Sequence, residues 1–280
     1  MTAKIIDGKK LAEKIRKEIK EKVKKIGIKP GLAFVLVGNN PASQVYVGGK
    51  DKACKEAGFY TETHHLPENI DELRLLQLID KINQDKKIHG MIVQLPLPKQ
   101  IDEKLVLESI LPHKDADGFN AINMGNLLAG NNMIVSATPK GIIRLIESTG
   151  VKIEGKHAVV VGRSNIVGKP VALLLQQKNA TVTICHSKTK PLEKYTKDAD
   201  ILVAAIGKPG LIKSDMVKKG AIVIDVGINR LESGKLVGDV DFDKVKKVAS
   251  YITPVPGGVG PMTIAMLMEN TLECMGLMPK

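Results

Sequence analysis

Short apolar runs alternate along this chain with longer stretches in which apolar residues recur every three or four positions. Runs such as Leu32–Val37 and His157–Val161 are short and almost wholly apolar. They predict strands covered on both faces, as in a parallel sheet. On this basis strands are expected at Leu32–Val37, Tyr60–His65, Ile88–Gln94, His157–Val161, Thr181–His186, Ile201–Ile206 and Ala221–Val226. Helices are expected at Gly8–Ile26, Pro41–Ala57, Asp71–Gln84, Glu103–Ser109, Pro139–Thr149, Val167–Lys178, Leu192–Asp198 and Pro261–Met275. Such alternation predicts an α/β fold of parallel strands joined by crossover helices. No internal repeat or low-complexity segment interrupts it.

The pattern breaks once. Asn120–Asn132 is rich in Asn and Gly and carries no period. Thr138-Pro139 then opens a helix with Pro at its first position. Two αβα domains follow, 1–138 and 139–260, and the helix within 261–280 is expected to pack back on the first. A length of 280 residues accommodates two domains of ordinary size.

Composition changes the picture in three ways. Trp is absent and aromatics are 3%, so the core must be aliphatic. The net charge of +12 favours anionic partners. Lys9–Lys25 alone holds eight Lys and one Arg, interleaved as on a solvated helix face. No cluster of stacking aromatics accompanies the charge, so no nucleic-acid partner is expected; small polyanions fit. The odd, scattered cysteines Cys54, Cys185 and Cys274 predict neither a disulfide framework nor a zinc site. With no signal-like segment after Met1 and no membrane-length apolar run, a cytoplasmic protein is expected.

Two groups of residues carry candidate chemistry. Tyr46 and Lys50 stand four residues apart, on one helix face just after a strand. Lysine is the side chain whose pKa falls most readily on desolvation, which suits it to proton transfer near neutrality. Gln94 closes a predicted strand, where side chains of parallel sheets reach the ligand crevice. Asp115 and Asp117 read as turn formers; metal binding would need further ligands, which are not nearby. Pro254–Pro261 is a stiff, glycine-containing loop that a ligand can approach closely.

The second group starts at Val161-Gly-Arg-Ser164, running to Gly168 and a helix, a strand-to-helix turn that offers backbone N–H donors to a pyrophosphate. It lacks the three-glycine dinucleotide fingerprint, and a purely structural turn reads equally well. The next strand ends in Cys185-His186-Ser187-Lys188 with no carboxylate to grip a ribose 2′-hydroxyl. Arg163, Ser187 and Lys188 suit a 2′-phosphate, which predicts NADP over NAD.

Taken in order, Tyr46–Lys50, Gln94-Leu-Pro-Leu-Pro98, Asp115–Phe119, Thr138–Gly141, Val161–Ser164, Cys185–Lys188, Asp225–Asn229 and Pro254–Pro261 resemble the bifunctional methylenetetrahydrofolate dehydrogenase/methenyltetrahydrofolate cyclohydrolase family over nearly the whole chain. The resemblance implies a Rossmann-type NADP-binding second domain, an active-site cleft between the domains, and a homodimer. It implies NADP-dependent oxidation of methylenetetrahydrofolate, then hydrolysis to 10-formyltetrahydrofolate. Lys50 would be the central catalytic residue, Tyr46 would stack on the folate, Gln94 would tune the lysine, and Asp117 would hold the pterin. Leu95, Pro256, Gly257 and Gly258 would line the substrate. Gly162, Arg163, Ser164, Ser187 and Ile228 would contact NADP. A shikimate-dehydrogenase-like oxidoreductase would share the architecture without needing Tyr46, Lys50, Gln94 and Asp117 together. A non-catalytic NADP-binding module would bind without turnover.

Overall fold

The computed structural model describes residues 2–277. Its strands are β1 (Lys4–Ile5), β2 (Gly31–Val37), β3 (Tyr60–Leu66), β4 (Gly90–Val93), β5 (His157–Val161), β6 (Thr181–Cys185), β7 (Ile201–Ala204), β8 (Ile222–Asp225), β9 (Asn229–Arg230), β10 (Leu236–Val237) and β11 (Tyr251–Ile252). Its α-helices are α1 (Gly8–Ile26), α2 (Pro41–Glu56), α3 (Glu72–Gln84), α4 (Glu103–Ser109), α5 (Ala121–Leu128), α6 (Ala137–Glu147), α7 (Gly168–Gln177), α8 (Glu193–Thr196), α9 (Phe242–Val245) and α10 (Val259–Leu277).

The chain forms two compact units. Residues up to Glu13 join Thr138–Thr263, and Lys14–Ala137 joins the chain from Ile264 onward. The expected assignment of residues 1–138 to one domain therefore needs correction at its start. Lys4 and Ile5 pair in parallel with Tyr251 and Ile252, and the Ala3 N–H donates to the Lys246 carbonyl at 2.7 Å. Ala3 lies in the same apolar cluster as Val159, Leu202 and Val223. Two-residue strands carry no readable period, so only the tertiary pairing reveals them.

In the Lys14–Ala137 unit the sheet order is β3-β2-β4, all parallel. Every residue of β2 is buried, which explains its unbroken apolar sequence. One face is covered by α3 and α4, whose Leu75, Ile79, Ile82 and Val106 pack with Val35, Met91 and Val93. Burying each such side chain contributes about 1.5–3 kcal/mol. Asp115 bridges Met91 in parallel, so the chain beyond it runs toward the edge where β4 ends. Just before it, Lys114 is buried and donates from Nζ to the carbonyls of Ile82 (3.1 Å) and Asp85 (2.7 Å), capping the end of α3.

Where no period was legible in Asn120–Asn132, the structure forms α5. Asn120 caps it, its Oδ1 accepting the Ile122 N–H at 2.8 Å. The helix spans only two turns, too few for a pattern to register. Helix α6 begins at Ala137, two residues before Pro139.

In the Thr138–Thr263 unit the sheet order is β1-β11-β8-β7-β5-β6, again parallel. The first strand of the αβ series, β5, lies between β6 and β7. The connections diverge there, and in sheets of this kind ligands bind outside the carboxyl ends at that point.

Helix α10 is apolar nearly all round, as a buried helix must be. Its fully buried Asn270 donates from Nδ2 to the carbonyls of Ala116 (2.9 Å) and Val135 (2.8 Å). Replacing Asn270 with Leu leaves both oxygens short of a donor, at about 1–3 kcal/mol each. We expect the urea midpoint of Asn270→Leu to drop with an unchanged m-value; an unmoved midpoint would refute this role.

Candidate active site

The first group of predicted residues gathers at the carboxyl edge of the three-stranded sheet. Helix α2 follows β2 directly and is capped by Asn40, whose Oδ1 accepts the N–H groups of Ala42 (3.0 Å) and Ser43 (3.2 Å). Pro41 occupies its first position. This fixed start aims Lys50 at the end of β4. Lys50 Nζ, half-buried, donates to Gln94 Oε1 at 3.2 Å. Gln94 in turn donates from Nε2 to the Leu95 carbonyl at 2.8 Å, which fixes the amide's orientation. Tyr46, one turn before Lys50, is 45% exposed. Between them, Gly48 and Gly49 leave the helix surface bare.

Asp115 and Asp117 divide their labour. Asp115 is buried and accepts the N–H groups of Gly118 (3.0 Å) and Asn120 (2.8 Å) and the Asn123 amide (3.0 Å). It builds the turn. Burial raises its pKa, partly offset by these donors. Asp117 is half-buried and shares an electrostatic environment with Lys50. Burial pushes its carboxyl up to about 6; the Lys50 charge pulls it down, and Asp115 adds to the rise. No group of three metal-ligating side chains occurs among the described residues. One turn beyond Lys50, burial and Asp51 push the Cys54 thiol up to about 12, which leaves it inert.

The second group lies at the carboxyl edge of the six-stranded sheet. Val161 and Cys185 are register partners, so Arg163 and Ser187 each stand two residues beyond the same row. Gly162 has φ +139°, and a Cβ there would sit 2.2 Å from the Ala205 carbonyl oxygen. Only glycine fits. Ser164 then receives the N–H groups of Val167 (3.2 Å) and Gly168 (3.3 Å) on its Oγ, starting α7. The turn after β6 is closed by the His186 N–H to Thr189 Oγ1 (3.0 Å) and the Lys188 N–H to His186 Nδ1 (3.2 Å). It leaves Ser187 and Lys188 exposed beside exposed Arg163. These donors, with no carboxylate among them, fit a phosphorylated ribose.

Ile228 is exposed, and its Cδ1 lies 3.6 Å from a Cβ position on Gly260. Gly257 accepts the Lys9 N–H at 2.9 Å, and Gly258 is buried against Gly8. Pro256, Gly257 and Gly258 thus belong to the same unit as Ile228, while Lys50, Gln94, Leu95 and Asp117 belong to the other.

The family described as tetrahydrofolate dehydrogenase/cyclohydrolase matches through its catalytic domain at residues 6–117 and its NAD(P)-binding domain at residues 136–277. The chain belongs to this family. It is 57% identical to the bifunctional protein FolD of Moorella thermoacetica, over 98% of this chain and 99% of that one. The bifunctional FolD enzyme of Campylobacter jejuni has a crystal structure that superposes with a TM-score of 0.96 at 53% identity, covering 98% and 99% of the two chains. The Trypanosoma brucei FolD, solved with NADP cofactor and an inhibitor, gives 0.94 at 41%, covering 99% and 98%. Shikimate dehydrogenase of Thermus thermophilus reaches only 0.57 at 15%, covering 89% and 95%, a likeness of fold alone. That likeness accounts for the shared architecture of the shikimate-dehydrogenase-like alternative, which the family match displaces.

Sequence reasoning passed over two buried carboxylates on the dinucleotide side. Asp225 opens the Asp225–Asn229 motif, and Asp239 lies outside every motif. The one available signal was their setting among glycines, Gly227 and Gly238.

The sign of the Asp117 shift has a direct consequence. Its protonated form persists above the ordinary carboxylate range, so the folded state holds a proton that the unfolded state has lost. Its contribution to stability therefore declines as pH rises from about 4 toward about 6. We expect carboxyl-labelled NMR to find Asp117 titrating near 6, and higher still in Lys50→Met. An unchanged midpoint in that variant would show that the two charges do not interact.

Proposed function

We propose that this chain oxidises 5,10-methylenetetrahydrofolate with NADP and hydrolyses the methenyl product to 10-formyltetrahydrofolate, with Lys50 as its catalytic centre. The observation that carries the role of Lys50 is its hydrogen bond to Gln94, beside the Asp117 carboxylate, in a chain of this family.

NADP, when bound, accepts the hydride that leaves the methylene carbon. That carbon is flanked by two nitrogens whose lone pairs stabilise the cation, so this step needs little acid–base help and depends on positioning. Gly162, Arg163, Ser164, Ser187 and Ile228 hold the dinucleotide. The exposed Arg163, Ser187 and Lys188 support its 2′-phosphate.

Hydrolysis makes a different demand. Water adds to the methenyl carbon and gives up both its protons as its oxygen becomes the formyl carbonyl; one passes to the nitrogen whose bond to that carbon breaks, and the other is released. Lys50 Nζ serves this proton transfer. Gln94 Oε1 takes one of its N–H bonds and so fixes where the others point. Tyr46 offers its exposed ring to the planar ligand. Asp117 accepts hydrogen bonds from the pterin, and Leu95 adds an apolar contact beside Gln94.

The three buried free cysteines suit a reducing, cytoplasmic setting. No helix among the described residues is long and apolar enough to cross a membrane. The family resemblance supports a homodimer, which light scattering would read as twice the mass of the 30.3 kDa chain.

An absorbance assay that follows NADPH and methenyl-folate separately tests both steps. We expect Lys50→Met to lose about 10²–10⁴-fold in methenyl hydrolysis, the scale of general acid–base catalysis. Near-normal hydrolysis would remove Lys50 from the mechanism. With NAD in place of NADP, reduction by the parent protein should be distinctly slower; equal rates would refute the 2′-phosphate contacts.

A further inference from the structure

Asp239 is fully buried and is none of the residues assigned to substrate or cofactor. Its carboxylate nevertheless accepts four hydrogen bonds. Oδ2 takes the N–H groups of Ile206 (2.6 Å) and Gly207 (3.0 Å), and Oδ1 takes the Lys208 N–H (2.9 Å) and the Asn229 side-chain amide (3.0 Å). The first three donors lie in the loop leaving β7. Asn229 follows Ile228 and opens β9, the strand reached after β8. β7 and β8 are neighbours, and β7 also borders β5. The loop after β7 presses Ala205 against the Gly162 turn.

Asp239 is itself held. Its N–H donates to Asp225 Oδ1 at 2.8 Å, and Asp225 also accepts the N–H groups of Gly227 (3.1 Å) and Val240 (3.1 Å). A Cβ on Gly227 would lie 2.3 Å from Asp239 Oδ1, so this approach requires glycine. Burial pushes the Asp225 carboxyl up to about 7, against those three backbone donors. A buried carboxylate without a cation is costly unless several donors surround it. Here the donors come from two separate segments, the loop after β7 and the start of β9, and satisfying the charge forces them together.

We propose that Asp239 is a positioning residue for the dinucleotide, holding the 206–208 and 228–229 segments in fixed relation to the Gly162 turn. The inference rests on the assignment of that turn and of Ile228 to NADP.

The two activities separate the possibilities, because methenyl hydrolysis uses no dinucleotide. Asp239→Asn keeps the volume but turns one acceptor into a donor facing N–H groups. We expect its KM for NADP to rise about tenfold or more. Its KM for methylene-folate and its hydrolysis rate should stay within about twofold. Asn229→Ala removes the link from Asp239 to the segment after β8, together with a longer 3.4 Å bond to the Val237 carbonyl, and should show the same split, more weakly. Parallel loss of both activities, or an unchanged KM for NADP, overturns the proposal. Should Asp239→Asn fail to fold, the presence or absence of the split in Asn229→Ala decides. A parent protein without NADP turnover would instead refute the cofactor assignment; normal parent turnover with parallel loss in the variants refutes the positioning role alone.

Discussion

Parallel strand pairing is the constraint on which this structure depends. Strands that run the same way all end at one edge, and the loops that leave them gather there. In the three-stranded sheet that edge collects Lys50 after β2, Gln94 after β4 and Asp117 after the bridge at Asp115. In the six-stranded sheet it collects the Gly162 turn, the Ser187 turn and the Ile228 loop. No residue in either group needs to be near another in sequence. Each needs only to sit just past the end of a strand.

Precision at those edges comes from buried polar groups, since apolar packing has no direction. Asp115 draws three donors around itself and presents Asp117; Lys114 and Asn270 fasten the same segment from either side. Asp225 and Asp239 do the corresponding work among the loops of the other unit. Such groups are tolerated in a dry interior only when their hydrogen bonds are complete. Disturbing one therefore displaces a functional loop as well as costing stability. This division explains why two carboxylates two residues apart, Asp115 and Asp117, play unlike parts: one is saturated with donors, the other faces an ammonium group.

Much of this was legible in the chain. The apolar runs of β2, β5, β7 and β8 located the strands because central parallel strands are covered on both faces. The Tyr46–Lys50 spacing placed an amine and a ring on one helix face, and Gln94 at a strand end met that amine. The motifs in register carried the family, which the matches at 6–117 and 136–277 establish. Less legible were features whose partners lie far away in the chain. β1 and β11 are two residues each and exist because they pair with one another and with β8. α5 is too short to show a period. Asp239 looked like any surface aspartate.

Fold class, strand ends and the chemical types available there were already set by the order of residues, because periodicity and local turn chemistry are properties of neighbouring residues. Tertiary structure alone decided that the first residues complete the six-stranded sheet. It also decided that Lys50 meets Gln94 across 44 positions and that Asp239 binds a loop some thirty residues upstream. A hydrogen bond has no memory of the chain length between its partners, so its location cannot be read until the chain has folded.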